Sequence, residues 1–151
     1  MVYSLKDEPE VAESHWRKVL EIDPANIGAL MSLVDVRMKR GDAERAEDLL
    51  VKAIKAKDSD PVLTEMLVKV RVSKKDWLGA QSAINELEKQ PGKYLVARML
   101  TAKLLDNQGL FSKAIGIYKG VLLENPDMGS ALVAITGSYK AANQPEEYII
   151  F

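Results

Sequence analysis

The chain has 151 residues, 47% hydrophobic and 28% charged, which places it among folded water-soluble proteins and away from disorder. Its 21 Lys and Arg balance 22 Asp and Glu for a net charge of -1, so no global field favours a nucleic-acid backbone or an anionic bilayer. There is no cysteine and a single histidine, His15, which removes disulfides, thiolate metal sites and thiol nucleophiles.

The opening MVYSLKDEPEV is charged from Lys6 onward and lacks the apolar stretch of a secretory signal, and no run approaches the ~18 apolar residues of a membrane span. Tyr3 to Lys6 reads as the end of one helix. The helix after it carries Ala12, Trp16 and Val19 at offsets of four and seven, which puts them on one face. Pro24 punctuates, and the amphipathic stretch IGALMSLVDVRMKR follows at 27–40. Gly41 is read as a corner, because glycine tolerates the left-handed conformation that closes a helix. The next helix presents Ala46, Leu50 and Ala53. In Asp58-Ser59-Asp60-Pro61 either Ser59 or Asp60 can cap the helix that Pro61 begins, a simpler reading than a cation site.

PVLTEMLVKVRVSK (61–74) leads to a corner at Lys75 and a helix with Ala80, Ile84 and Leu87. Holding a side chain in the left-handed region costs roughly 1 kcal/mol, so this corner is expected to be looser or differently shaped. After Pro91-Gly92 come LVARMLTAKLLDNQ (95–108), the corner Gly109, and a helix with Ala114, Tyr118 and Val121. Pro126 precedes GSALVAITGSYKAA (129–142), Asn143 occupies the corner column, and PEEYIIF begins a further helix. Its apolar Tyr148, Ile149, Ile150 and Phe151 are expected to fold back on the last complete unit or to meet another molecule.

The spacing supplies the organisation. Ala12, Ala46, Ala80 and Ala114 recur every 34 residues, and Leu33, Leu67, Thr101 and Ile135 form a second column. A helical hairpin repeated head to tail produces this pattern. An alanine at each crossing lets two helices approach closely, with a larger residue one turn on filling the space beside it.

These columns resemble the tetratricopeptide repeat. The third unit matches in Gly109, Phe111, Ala114, Tyr118 and Pro126, and the first full unit in Leu30, Leu33, Gly41, Ala46 and Ala53. Arg37 and Arg71 stand where the family has Tyr, and Asp58 and Gly92 replace its closing Pro. The resemblance implies an all-α fold, a right-handed superhelix of antiparallel helix pairs. Complete repeats are expected at 27–60, 61–94 and 95–128, with a partial repeat, mainly a second helix, at 1–26 and another at 129–151. Neither end has the polar capping helix that terminal repeats generally need, so a piece of a longer array is expected. The short regular repeats look like those of bacterial proteins that organise envelope, secretion or polysaccharide machinery.

In such arrays the first helices line a concave groove. The frame points Met31, Asp35 and Met38 into it, then Glu65, Met66 and Lys69, then Met99, Leu100 and Lys103, and finally Lys140. Methionine suits a groove that adapts to varied apolar partners, although the same side chains also serve as packing between neighbouring helices. The family's clamp for acidic C-terminal tails, built from Lys and Asn, has Met31, Asp35, Met66, Val96 and Leu100 at its positions here, so that activity is not expected.

Neither a phosphate loop nor a nucleophile elbow occurs, and His15 alone makes no metal site. The expected function is therefore a non-catalytic scaffold for a protein or peptide, with no cofactor, metal, nucleic acid or membrane insertion. The alternative is an assembly segment forming homo-oligomers through its repeat ends. Cytoplasm and periplasm fit equally.

Overall fold

The computed structural model describes residues 8–56 and 60–142. Among these residues there are eight helices and no strand: α1 (Glu8–Ile22), α2 (Ile27–Lys39), α3 (Ala43–Ala56), α4 (Pro61–Ser73), α5 (Trp77–Glu88), α6 (Tyr94–Asn107), α7 (Phe111–Glu124) and α8 (Gly129–Ala141). The expectations for Tyr3 to Lys6, for Asp58 and Ser59, and for Asn143 and the apolar tail lie outside the described residues. The chain divides into two compact units, Met1–Lys75 and Asp76–Phe151. In the first, α1 to α4 pack in chain order and α2 also touches α4. In the second, α5 to α8 do the same, with α6 touching α8.

Local chemistry sets the helix ends. The Asn26 carboxamide accepts from the Ala29 N–H at 3.1 Å, and the Asp60 carboxylate accepts from the Val62 N–H at 2.9 Å, with Pro61 opening α4. Asp76 caps α5 through the Gly79 N–H at 2.9 Å. Each cap satisfies an N–H that the first turn leaves without a helical partner, worth about 1 kcal/mol. At the other ends, Gly41 (φ 74) and Gly109 (φ 75) take the left-handed conformation. Asp42 N–H then donates back to Arg37 O, and Leu110 N–H to Leu105 O, both at 2.9 Å, which closes each helix with a six-to-one bond.

The corner at Lys75 shares two features with these glycine corners. Lys75 itself adopts φ 59, and its N–H donates to Val72 O at 2.9 Å, as Gly41 N–H does to Met38 O at 3.0 Å. Turn geometry overrides the preference of the side chain, which stays exposed. Lys75→Gly should therefore raise stability, by about 0.5 to 1 kcal/mol, because strain relief slightly exceeds the entropy glycine adds to the unfolded chain. The urea midpoint measures it; a destabilised variant would show that the corner is not strained.

The repeat columns are the core. Ala46, Leu50 and Ala53 in the first unit, and Ala80, Ile84, Leu87, Ala114, Tyr118 and Val121 in the second, are all fully buried. With no room left at the crossing, Ala114→Leu should overpack it at a cost of about 1 to 3 kcal/mol, readable as a lowered thermal midpoint. Ala12, Trp16 and Val19 of α1 belong to the same columns but remain partly exposed, since among the described residues no first helix lies before α1 to cover them.

Candidate functional site

The two first helices of the first unit, α2 and α4, touch, and each carries exposed side chains. Met31 on α2 is 54% exposed, and Val62 on α4 is also exposed. Asp35 is exposed one turn beyond Met31 and pairs with Lys39 at 2.6 Å. Met38, Glu65 and Met66 are half-buried, and Lys69 is exposed. These accessible residues of α2 and α4 mix apolar and charged side chains.

The second unit treats its groove residues differently. Lys103 on α6 and Lys140 on α8 are exposed, and Val133 is 76% exposed. Met99 and Leu100, expected in the groove, are buried instead, Met99 at only 6% exposure within the cluster that holds Ala114, Tyr118, Ala131 and Ile135. Leu95, Met99 and Ala102 fall at offsets of four and seven on α6, an apolar stripe facing its neighbours. The flexible thioether of Met99 fills that space, so neither residue can anchor a partner without repacking the unit. Asp106 on α6 accepts hydrogen bonds from Tyr118 Oη at 3.1 Å and from Ser138 Oγ at 2.7 Å.

Two ion-pair sets explain the arginines at the family's Tyr positions. Glu13 on α1 is 5% exposed. It accepts from Arg37 Nη2 at 2.6 Å, Arg40 Nη1 at 2.9 Å and Arg17 Nη2 at 2.5 Å. One repeat later Glu47 on α3 accepts from Arg71 Nε at 2.8 Å and Lys74 Nζ at 2.6 Å, and Lys74 also meets Glu44 at 2.7 Å. Both times a second helix supplies the carboxylate, and the following first helix supplies the cations 24 and 27 residues on. Burial opposes ionisation of Glu13, but Arg37, Arg17 and Arg40 together outweigh it and hold the carboxyl below its ordinary range. The Lys74 hydrogen bond, opposed by burial and reinforced by Arg71, does the same for Glu47. Lys74 is in turn held above its usual value, by Glu44 first and then Glu47. Chemically these are fixed charges that set helix register, with no spare acid or base between them.

His15 is exposed on α1. Among the described residues no group of three or more His, Cys, Asp or Glu could hold a metal ion, and no helix is long and apolar enough to cross a membrane.

Paired helices, left-handed corners and an alanine at each crossing together define the tetratricopeptide fold, a solenoid of helix pairs. Among solved structures, the chain is similar to MamA at 20% identity and a TM-score of 0.58, covering 95% of this chain and 87% of that one. A second MamA structure is similar at 22% identity and a TM-score of 0.59, covering 91% and 75%. YrrB, described as a TPR protein with an unusual peptide-binding site, is similar at 22% identity and a TM-score of 0.55, covering 93% and 72%. No model of a known family and no curated protein matches the sequence.

Proposed function

We propose that the chain is a non-catalytic interaction scaffold that holds a peptide or partner protein against the concave, uncovered side of its first helices. The observation that carries this reading is the exposure on α2 and α4, two helices in contact, of Met31 and Val62, with half-buried Met66 and the exposed charges of Asp35 and Lys69 on the same two helices. Apolar anchors with charges on the same helices suit an extended or helical peptide, and the peptide-binding site ascribed to the structurally similar YrrB supports the reading. Complete repeats at 27–60, 61–94 and 95–128, with partial ones at 1–26 and 129–151, are part of the same proposal.

A pull-down comparing the wild-type chain with a Met31→Glu, Met66→Glu variant tests it, once circular dichroism shows both to be folded. A protein retained by the wild type and lost by the variant is the expected result. Equal retention by both sinks the first-helix surface as the working one.

A second reading, self-association through the repeat ends, draws on α1, where Ile22 is 88% exposed and Val11 and Val19 are also uncovered. Light scattering over a dilution series decides between them: a mass that rises with concentration and survives the methionine substitutions favours assembly, and a monomer throughout removes it.

A further inference from the structure

In the first unit, α1 and α3 each pack on α2 but not on each other, and the gap between them holds a cleft of about 330 Å³. Leu33 and Leu49 give it an apolar base, while Arg17, Arg37, Arg45 and Lys52 line it against one carboxylate, Asp48. Glu13 and Asp42 answer part of this charge, with Arg40 the third cation on Glu13 and Arg45 meeting Asp42 at 3.3 Å. Lining residues and their ion-pair partners together thus set five cations against three carboxylates. Lys52 is exposed and has no ion-pair partner among the described residues.

Helix register does not require this surplus. The equivalent set at Glu47 does the same structural work with two cations and two carboxylates, Arg71 and Lys74 against Glu47 and Glu44. The excess is also local, since the whole chain carries a net charge of -1. A guanidinium offers five N–H donors in a planar fork, and one carboxylate shared among three of them leaves donors free for another anion.

We propose that this cleft is a second binding site, which takes an acidic segment of a partner protein. A carboxylate side chain sits among Arg17, Arg45 and Lys52, and the apolar residue beside it lies over Leu49. The site is on the second-helix side of α2 and does not use Met31 or Met66. A polynucleotide fits less well: its backbone charge calls for an extended basic track, whereas this cluster is compact and has a leucine base.

Three fluorescein-labelled probes test the idea on the full chain: a peptide of Glu interspersed with Leu, the same peptide with Gln for Glu, and an oligouridine of equal charge. The Glu peptide should bind at least about tenfold more tightly than the Gln peptide, with the difference shrinking as salt rises. Arg45→Ala with Lys52→Ala, both on exposed side chains and so expected to fold normally, should erase that preference. Met31→Glu with Met66→Glu should leave it intact, which separates failure of this site from failure of the first-helix surface. Equal binding of the Glu and Gln peptides, a preference untouched by the Arg45, Lys52 variant, or tighter binding of oligouridine through the same two residues would each overturn the proposal.

Discussion

Glu13→Ala should destabilise the first unit by about 3 kcal/mol, among the largest effects of any single substitution in the chain. Removing one member of a buried charge set strands the others. Arg37 is the one that cannot escape: its side chain is 11% exposed, whereas Arg17 and Arg40 are 58% and 47% exposed and can rehydrate. That partial escape places the cost at the lower end of the usual range, and it makes Arg17→Ala a mild change of less than about 1 kcal/mol. The two tryptophans divide the readout, Trp16 lying in α1 of the first unit and Trp77 in α5 of the second. In a Trp77→Phe background, urea unfolding followed by Trp16 fluorescence reports the first unit directly. The sign with pH follows from the depressed carboxyl. Its contribution is complete above the unfolded value of about 4.3 and is lost as pH falls through the lower folded value. Wild type and Glu13→Gln should therefore differ near neutrality and converge in acid. A gap that stays constant down to the acid limit would mean that Glu13 acts through packing and not through charge.

Repeat columns were legible because period and burial share one cause. A residue fully enclosed by two helices tolerates little change in size, so Ala46, Ala80 and Ala114 recur at 34 and all are fully buried. Corners were legible at Gly41 and Gly109 for a similar reason, and less so at Lys75, where the hydrogen-bonded turn imposes a conformation that lysine does not favour by itself. The surface was harder to read. Met31 and Met99 occupy the same column of the frame, yet Met31 is exposed and Met99 buried, because exposure depends on which helices flank the position and not on its phase. The ion-pair sets had a signal that could have been followed: Glu13 and Glu47, Arg37 and Arg71, and Arg40 and Lys74 each keep the spacing of 34. In the sequence Arg37 and Arg71 stand out by themselves only as departures from a family pattern. Opposite charges 24 residues apart, repeated one period later, name their own partners across a helix interface. The cleft beside them had no such signal, since Arg17, Arg45 and Lys52 converge only once α1, α2 and α3 are packed.

In the second unit the corresponding burden falls on Tyr118, for which Tyr118→Ala should cost about 3 to 5 kcal/mol, the usual range for deleting a buried aromatic ring. The ring is fully buried in α7, while its hydroxyl donates to Asp106 on α6, which also accepts from Ser138 on α8. One carboxylate thus ties three helices together. Tyr118→Phe keeps the ring and removes only the bond to a charged acceptor, so a loss of about 1.5 to 3 kcal/mol is expected, and the two variants separate packing from hydrogen bonding. Ionisation provides an independent check. Burial, and after it the Asp106 charge and hydrogen bond, push the phenol well above its ordinary value. A raised folded value means that the contribution is present below the unfolded value of about 10 and is lost as pH rises beyond it. Followed by Trp77 fluorescence in a Trp16→Phe background, the wild type should weaken in alkali more steeply than Tyr118→Phe. Parallel alkaline profiles would show that other groups dominate there and that the Tyr118 hydroxyl is not held by Asp106.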